Sequence, residues 1–365
     1  THSCYIMKKD QKIKVGISVG DLNGIGTEII FKTFEESMML DFCTPILFAS
    51  VKTLSFVKKI LGSQINLHGI DEVSKAVDGK INVLNVWKEP VKIEFGEATE
   101  EGGSYALKSF IEATKALKNG EIDVLVTAPI NKANIQTEDF KFPGHTDYLA
   151  KELEGDAMML MATENLKVGL LTDHVAVKDV SASITSEIIT KKVETLYKTL
   201  QSDFGIHLPK IALLGINPHL GDGGVIGDED DKILIPTLEK IRNTGKIVYG
   251  PYAADSFFGS GNYKNFDAIL AAYHDQGLIP FKTLSFGKGV NYTAGLERIR
   301  TSPDHGTAYE IAGQNKADHS SFREAVFMAI DIYKKREDYK ELTKDILKVS
   351  PRKSVNKARQ GSKDS

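Results

Sequence analysis

Cysteine is nearly missing: Cys4 and Cys43 are the 2 in a chain of 365 residues. That count excludes a disulfide framework and a cysteine-rich metal site, and it makes a reducing, cytoplasmic compartment the expectation. Any metal must then be held by histidine or carboxylate. Long apolar runs are missing too. No stretch approaches the ~20 apolar residues of a membrane-spanning helix, and the first residues lack the apolar core of a signal peptide. Charge of one sign is not in excess. The 46 Lys and Arg against 49 Asp and Glu leave a formal net charge of −3, which argues against a general polyanion binder. The standard nucleotide-binding patterns G-x-G-x-x-G and G-x-x-x-x-G-K-[ST] do not occur.

What remains is the composition of an ordinary globular protein, 41% hydrophobic and 26% charged, in a chain long enough for two domains. Thr1 to Ile6 precede Met7 and are left out of the fold reading. Strand-like and helix-like segments alternate. Lys14–Val19, Pro45–Ala49, Ile81–Val86 and Asp123–Thr127 read as strands, with helices over Gly26–Ser37 (Thr27 as cap), Thr53–Leu61 and Ser104–Leu117. Further on, Ala157–Thr163 and Leu166–Thr172 read as paired strands. A helix over Thr185–Phe204, a strand over Lys210–Ile216, a helix over Asp230–Arg242, strands over Lys246–Val248 and Ala268–Tyr273, and a helix over Ser321–Lys334 complete the pattern. This order predicts an α/β fold with an open, mainly parallel sheet covered by helices. The polar, basic tail is expected to be disordered.

Three histidines follow apolar runs that read as buried strands: His174 after Leu170-Leu171, His219 after Leu213-Leu214, and His274 after Ala268 to Ala272. The ends of parallel strands are where α/β folds place their chemistry, and three imidazoles from three such ends can converge on one metal ion. His219 lies in Asn217-Pro218-His219-Leu220-Gly221-Asp222-Gly223-Gly224, where bare backbone permits close approach of a ligand. The acidic run Asp228-Glu229-Asp230-Asp231 reads as a solvated helix N-terminus. Gly20-Asp21-Leu22-Asn23-Gly24-Ile25-Gly26 is either a plain strand-to-helix turn or a ligand contact. His145 and Thr146, in Phe142-Pro143-Gly144-His145-Thr146-Asp147, sit where donors can meet an anion. Lys132 ends Thr127-Ala128-Pro129-Ile130-Asn131-Lys132, as a solvated lysine or as a cation facing an anion. Lys282, Lys288, Asn291, Arg298 and Arg300 form a block suited to phosphate or carboxylate. Asp255, Asp275 and Lys282 are the candidate catalytic groups.

The segments GDLNGIGTE, TAPINK, GHTDYLA, LLTDHV, GINPHLGDGG, GPYAAD, YHDQG, FGKGVNYTAGL and IRTSPDHGTAYEIAG occur in one order. Together they resemble the 4-hydroxythreonine-4-phosphate dehydrogenase family of vitamin B6 biosynthesis, over roughly Lys12 to Lys334. The resemblance implies an isocitrate/isopropylmalate dehydrogenase-like fold of two α/β/α domains with a cleft between them. Residues 12–135 with 280–348 would form the first domain and 136–279 the second, which carries the metal ligands, with 349–365 as a tail. It implies a homodimer whose active site takes residues from both subunits, NAD or NADP as cofactor, and one divalent ion, Zn, Co or Mg. The family's metal-binding histidines fall on His174, His219 and His274. Its substrate-binding residues fall on His145, Thr146, Lys282, Asn291 and Arg300, and Gly221, Gly223 and Gly224 are the candidate cofactor contacts. Leu22, Asn23 and Thr27 depart from the Pro, Ala and Pro common in the family, which touches loop stiffness. The chain is also longer than many members around Gln64 to Gly96. The implied reaction is oxidation of 4-phosphohydroxy-L-threonine to a β-keto acid that loses CO2. A sister dehydrogenase for D-threonate or D-erythronate 4-phosphate is one alternative, and a metal-dependent hydrolase or aldolase is another.

Overall fold

A computed structural model describes residues 12–136, 140–142 and 144–344. Pro143 and the tail expected to be disordered lie outside the described residues. The strands are β1 (Ile13–Ser18), β2 (Cys43–Ala49), β3 (Leu67–Ile70), β4 (Ile81–Asn85), β5 (Val124–Thr127), β6 (Gly155–Ala162), β7 (Lys167–Leu170), β8 (Lys210–Leu214), β9 (Ile247–Tyr252), β10 (Ala268–Ala271), β11 (Val290–Leu296) and β12 (Ile299–Pro303). All belong to one sheet in the order β3-β4-β2-β1-β5-β12-β11-β6-β7-β10-β8-β9. The block from β3 to β12 is parallel. At the centre β11 runs antiparallel to both β12 and β6, and β6 antiparallel to β7. The block β7-β10-β8-β9 is parallel again. The reversals turn the second block upside down, so the two blocks release their strand ends at opposite edges of the sheet.

The central strands are buried along most of their length because helices cover both their faces. One face is covered by α3 (Glu100–Lys118), α4 (His145–Glu152) and α7 (His274–Ser285), and the other by α1 (Gly26–Glu35), α5 (Ser186–Ser202) and α8 (Ser320–Thr343). Thr185 caps α5 by accepting from Ile188 N at 3.2 Å. Four of that helix's apolar residues, Ile189, Val193, Leu196 and Leu200, are buried; burying each contributes about 1.5–3 kcal/mol. Thr99 caps α3 in the same way. The remaining long helices on the first and second blocks are α2 (Val51–Leu61) and α6 (Ile235–Arg242).

Several expectations need correction. Thr27 does not cap α1; Ile25 holds that position and Thr27 is buried inside the helix. The last helix runs to Thr343 because charged residues continue it on an exposed face past the apolar stripe. The block of cations and one amide from Lys282 to Arg300, for which no elements were read, holds the end of α7, all of β11 and the start of β12. Among the described residues no helix is long and apolar enough to cross a membrane.

Candidate active site

Side chains alternate across a strand. Asn291 and Thr293 therefore share one face of β11, and Arg300 and Ser302 the matching face of β12, under α3 and α4. Arg300 is 2% exposed. Its Nε and Nη2 donate to Thr127 Oγ1 at 3.0 and 2.7 Å, and its Nη1 donates to Thr293 Oγ1 at 3.0 Å. Among the described residues no carboxylate pairs with it. Burial pulls its pKa down to about 9, which leaves it charged at neutral pH.

His145 opens α4, with its ring edge-on to Phe110 at 4.5 Å between centroids. Burial of the ring, and then the nearby Arg300 and Lys132 charges, hold its pKa well below the ordinary range. The imidazole is neutral at pH 7. A guanidinium can only donate, so His145 Nδ1 accepts from Arg300 Nη2 at 3.1 Å and the proton sits on Nε2. That Nε2–H is buried without a partner, and so is the side-chain oxygen of Asn291. A buried donor beside an unbalanced cation forms a receptor for an anionic oxygen. Thr146, the next residue of α4, is partly buried. Lys282 is exposed and donates to Asp304 O at 3.0 Å, at the end of β12.

The three strand-end histidines leave β7, β10 and β8, which lie side by side and parallel. The rings of His174 and His274 stand 5.6 Å apart. Asp275 Oδ1 lies 2.8 Å from His274 Nδ1, which keeps the proton on Nδ1 and the lone pair on Nε2. Asp173 Oδ1, next to His174, is buried without a partner. Imidazole nitrogen is a ligand type that suits zinc and cobalt. Among the described residues no three His, Cys, Asp or Glu side chains are grouped to hold a metal, so His174, His219 and His274 do not form such a group in this structure. The His219 loop is strained, with His219, Leu220 and Asp222 all at positive φ, a cost of about 1–3 kcal/mol each. Gly221 is buried under Gly227 O, where a Cβ would come within 2.1 Å, whereas Gly223 and Gly224 stand in open space. Asp255 is exposed in the turn Ala254–Gly259 and accepts from Ser256 Oγ at 3.4 Å.

Sequence reasoning did not single out Thr127 or Thr293, whose hydroxyls hold Arg300. The only available signal was their position two residues from other strand residues on the same face. It also misread the acidic run. Asp230 is fully buried, not solvated: its carboxylate accepts from Ile216 N at 2.8 Å and Asn217 N at 2.9 Å, gripping the chain just before His219.

The family model of the pyridoxal phosphate biosynthetic protein PdxA matches residues 41–329. The chain belongs to the PdxA family. A 4-hydroxythreonine-4-phosphate dehydrogenase of Bacteroides thetaiotaomicron is 46% identical over 331 residues, covering 90% of this chain and 91% of the relative. A D-threonate 4-phosphate dehydrogenase of Cupriavidus necator is 35% identical over 327 residues, with 88% and 98% covered. The crystal structure of 4-hydroxythreonine-4-phosphate dehydrogenase from Klebsiella pneumoniae superposes with a TM-score of 0.77 at 33% identity, covering 89% of this chain and 98% of that one. The fold of this PdxA family member is accordingly the isocitrate dehydrogenase-like α/β fold.

Proposed function

We propose that the chain is an NAD-dependent oxidoreductase that oxidises 4-phosphohydroxy-L-threonine in vitamin B6 biosynthesis. The observation that carries this reading is Arg300, a buried cation bonded only to neutral groups. An anionic end of the substrate would take its remaining Nη1–H together with the Nε2–H of His145. Thr146, Asn291 and Lys282 complete the proposed substrate contacts, with Lys132 as a further cation at the rim. In the reaction the secondary hydroxyl loses a proton from oxygen and a hydride from carbon. The resulting β-keto acid loses CO2 and leaves 3-amino-2-oxopropyl phosphate. NAD or NADP, when bound, supplies the hydride acceptor, and Gly221, Gly223 and Gly224 are the proposed contacts to it. A divalent ion, Zn, Co or Mg, held by His174, His219 and His274 would supply Lewis-acid stabilisation of negative charge on oxygen. Asp275 is proposed to orient His274, which leaves Asp255 and Lys282 as the groups proposed for proton transfer.

We assign the described residues of 12–135 with 280–344 to one lobe and those of 136–279 to the other, with β11 and β12 as the floor of a cleft; residues 345–348 of the expected first domain lie outside the described residues. A cytoplasmic homodimer is part of the proposal. It is supported by apolar side chains in the histidine loops, with Val177 80% and Val225 83% exposed. A second reading, oxidation of D-threonate 4-phosphate, is favoured by the Cupriavidus necator relative. The two substrates, each offered with NAD and a divalent ion while NADH absorbance is followed, decide between them. Turnover of neither would overturn both readings.

A further inference from the structure

The β10–β8 ladder ends at Leu270 opposite Leu213. Beyond it, Ala272 N and Gly215 O have lost their strand partners. Gln276, in the first turn of α7, serves both: its Oε1 accepts from Ala272 N at 2.7 Å and its Nε2 donates to Gly215 O at 2.8 Å. A carboxamide carries one acceptor and one double donor, like a peptide group, so this side chain acts as an extra rung between two strand ends. On the other side of β10, Thr172 Oγ1 donates to Ala272 O at 2.8 Å and Thr172 N to the same oxygen at 3.2 Å. The tie therefore runs Thr172–Ala272–Gln276–Gly215, across β7, β10 and β8. Thr172 and Ala272 each stand two residues before a histidine of the facing pair, and Gly215 stands four before His219. A second tie lies further out. Asn217 Nδ2 donates to Glu229 Oε2 at 2.6 Å, and Ser181 Oγ donates to Glu229 Oε1 at 2.5 Å. It links the His219 loop to the helical turn Val180–Ser183 that follows His174.

We propose that Gln276 is a positioning residue that sets the spacing of the histidine-bearing loops, with Thr172 as its counterpart on β7. The proposal rests on the reading of His174, His219 and His274 as metal ligands. Neither side chain is among the proposed ligands; each fixes the backbone from which the histidines depart. Residues that orient ligands in this way typically change metal affinity by roughly 10–100-fold when removed.

The test uses purified full-length protein without substrate or cofactor, titrated with cobalt(II) chloride by calorimetry and visible absorption. Gln276→Met removes both bonds, Gln276→Glu keeps only the acceptor, and Thr172→Val removes the hydroxyl donor. The expected result is cobalt affinity lowered by roughly 10–100-fold for Gln276→Met, with smaller losses for the other two. When substrate and NAD are then added, saturating cobalt should restore most turnover, and thermal unfolding should stay cooperative. Wild-type affinity in a folded Gln276→Met protein overturns the proposal and leaves the metal reading intact. Wild-type protein that binds no cobalt overturns both. Failure of even Gln276→Glu and Thr172→Val to fold also overturns it, because the ties would then serve the fold and not the site.

Discussion

At the scale of single residues, Arg300 and His145 define each other. The guanidinium fixes the histidine tautomer, and the histidine gives the guanidinium a neutral neighbour in place of a counter-charge. Arg300→Lys keeps the charge but loses the fork. It should lower kcat/KM about 10–100-fold, mainly through KM, because each charge-assisted bond contributes roughly 1.5–3 kcal/mol; steady-state NADH assays would read this. His145 adds a pH dependence. Its folded pKa lies well below the ordinary value, so below the unfolded pKa of ~6.5 the unfolded state binds more protons than the folded one. Stability should rise with pH through that window, by at most about 1.4 kcal/mol per unit, and level off above it. His145→Gln should flatten the slope in urea titrations run at about pH 5.5 and pH 7.5. Both residues were legible in the sequence as members of a motif, but their coupling was not. It depends on α4 lying over β12, which neither motif encodes.

At the scale of elements, β1, β2, β4 and β5 were readable because each is a short, mainly apolar run; β3 was not, since its four residues include His68 and Gly69. The centre was not. In β11, Asn291 and Thr293 alternate with Tyr292 and Ala294, and in β12 Arg300 and Ser302 alternate with Thr301, so functional polar residues occupy the positions where a strand signal would stand. The acidic run before α6 misled for the opposite reason: Asp230 is polar by composition and buried by its bonds to the His219 loop. The first glycine-rich loop is tied down by a side-chain amide. Asn23 donates to Glu97 O at 3.1 Å and Thr99 Oγ1 at 3.0 Å and accepts from Glu94 N at 2.8 Å. It stitches the segment before α3 to the loop after β1. Asn23→Ala should destabilise the protein by about 1–3 kcal/mol, since it removes three bonds and leaves the partly buried Glu94 N without its acceptor. Amide exchange over residues 94–99 should accelerate, while exchange in β7 and β10 stays unchanged.

For the molecule as a whole, the two strand blocks are held together on the face opposite Arg300. Asp203 at the end of α5, Tyr292 on β11 and Arg336 on α8 form one buried group. Arg336 Nε donates to Asp203 Oδ1 at 2.7 Å, Arg336 Nη2 to Tyr292 OH at 3.0 Å, and Tyr292 OH to Asp203 Oδ2. Removing one member of a buried ion pair costs about 3–5 kcal/mol, so Arg336→Met should shift the urea midpoint strongly downward. The proposed homodimer makes a separate prediction. Val177→Glu with Val225→Glu should yield monomers by light scattering and abolish turnover while the helical circular dichroism is retained. The uncompensated guanidinium under α4 has a practical consequence for anyone handling the protein. Sulfate or inorganic phosphate in a storage buffer will act as a ligand, raising the melting temperature relative to chloride through mass action, and will compete with substrate in every rate measured there.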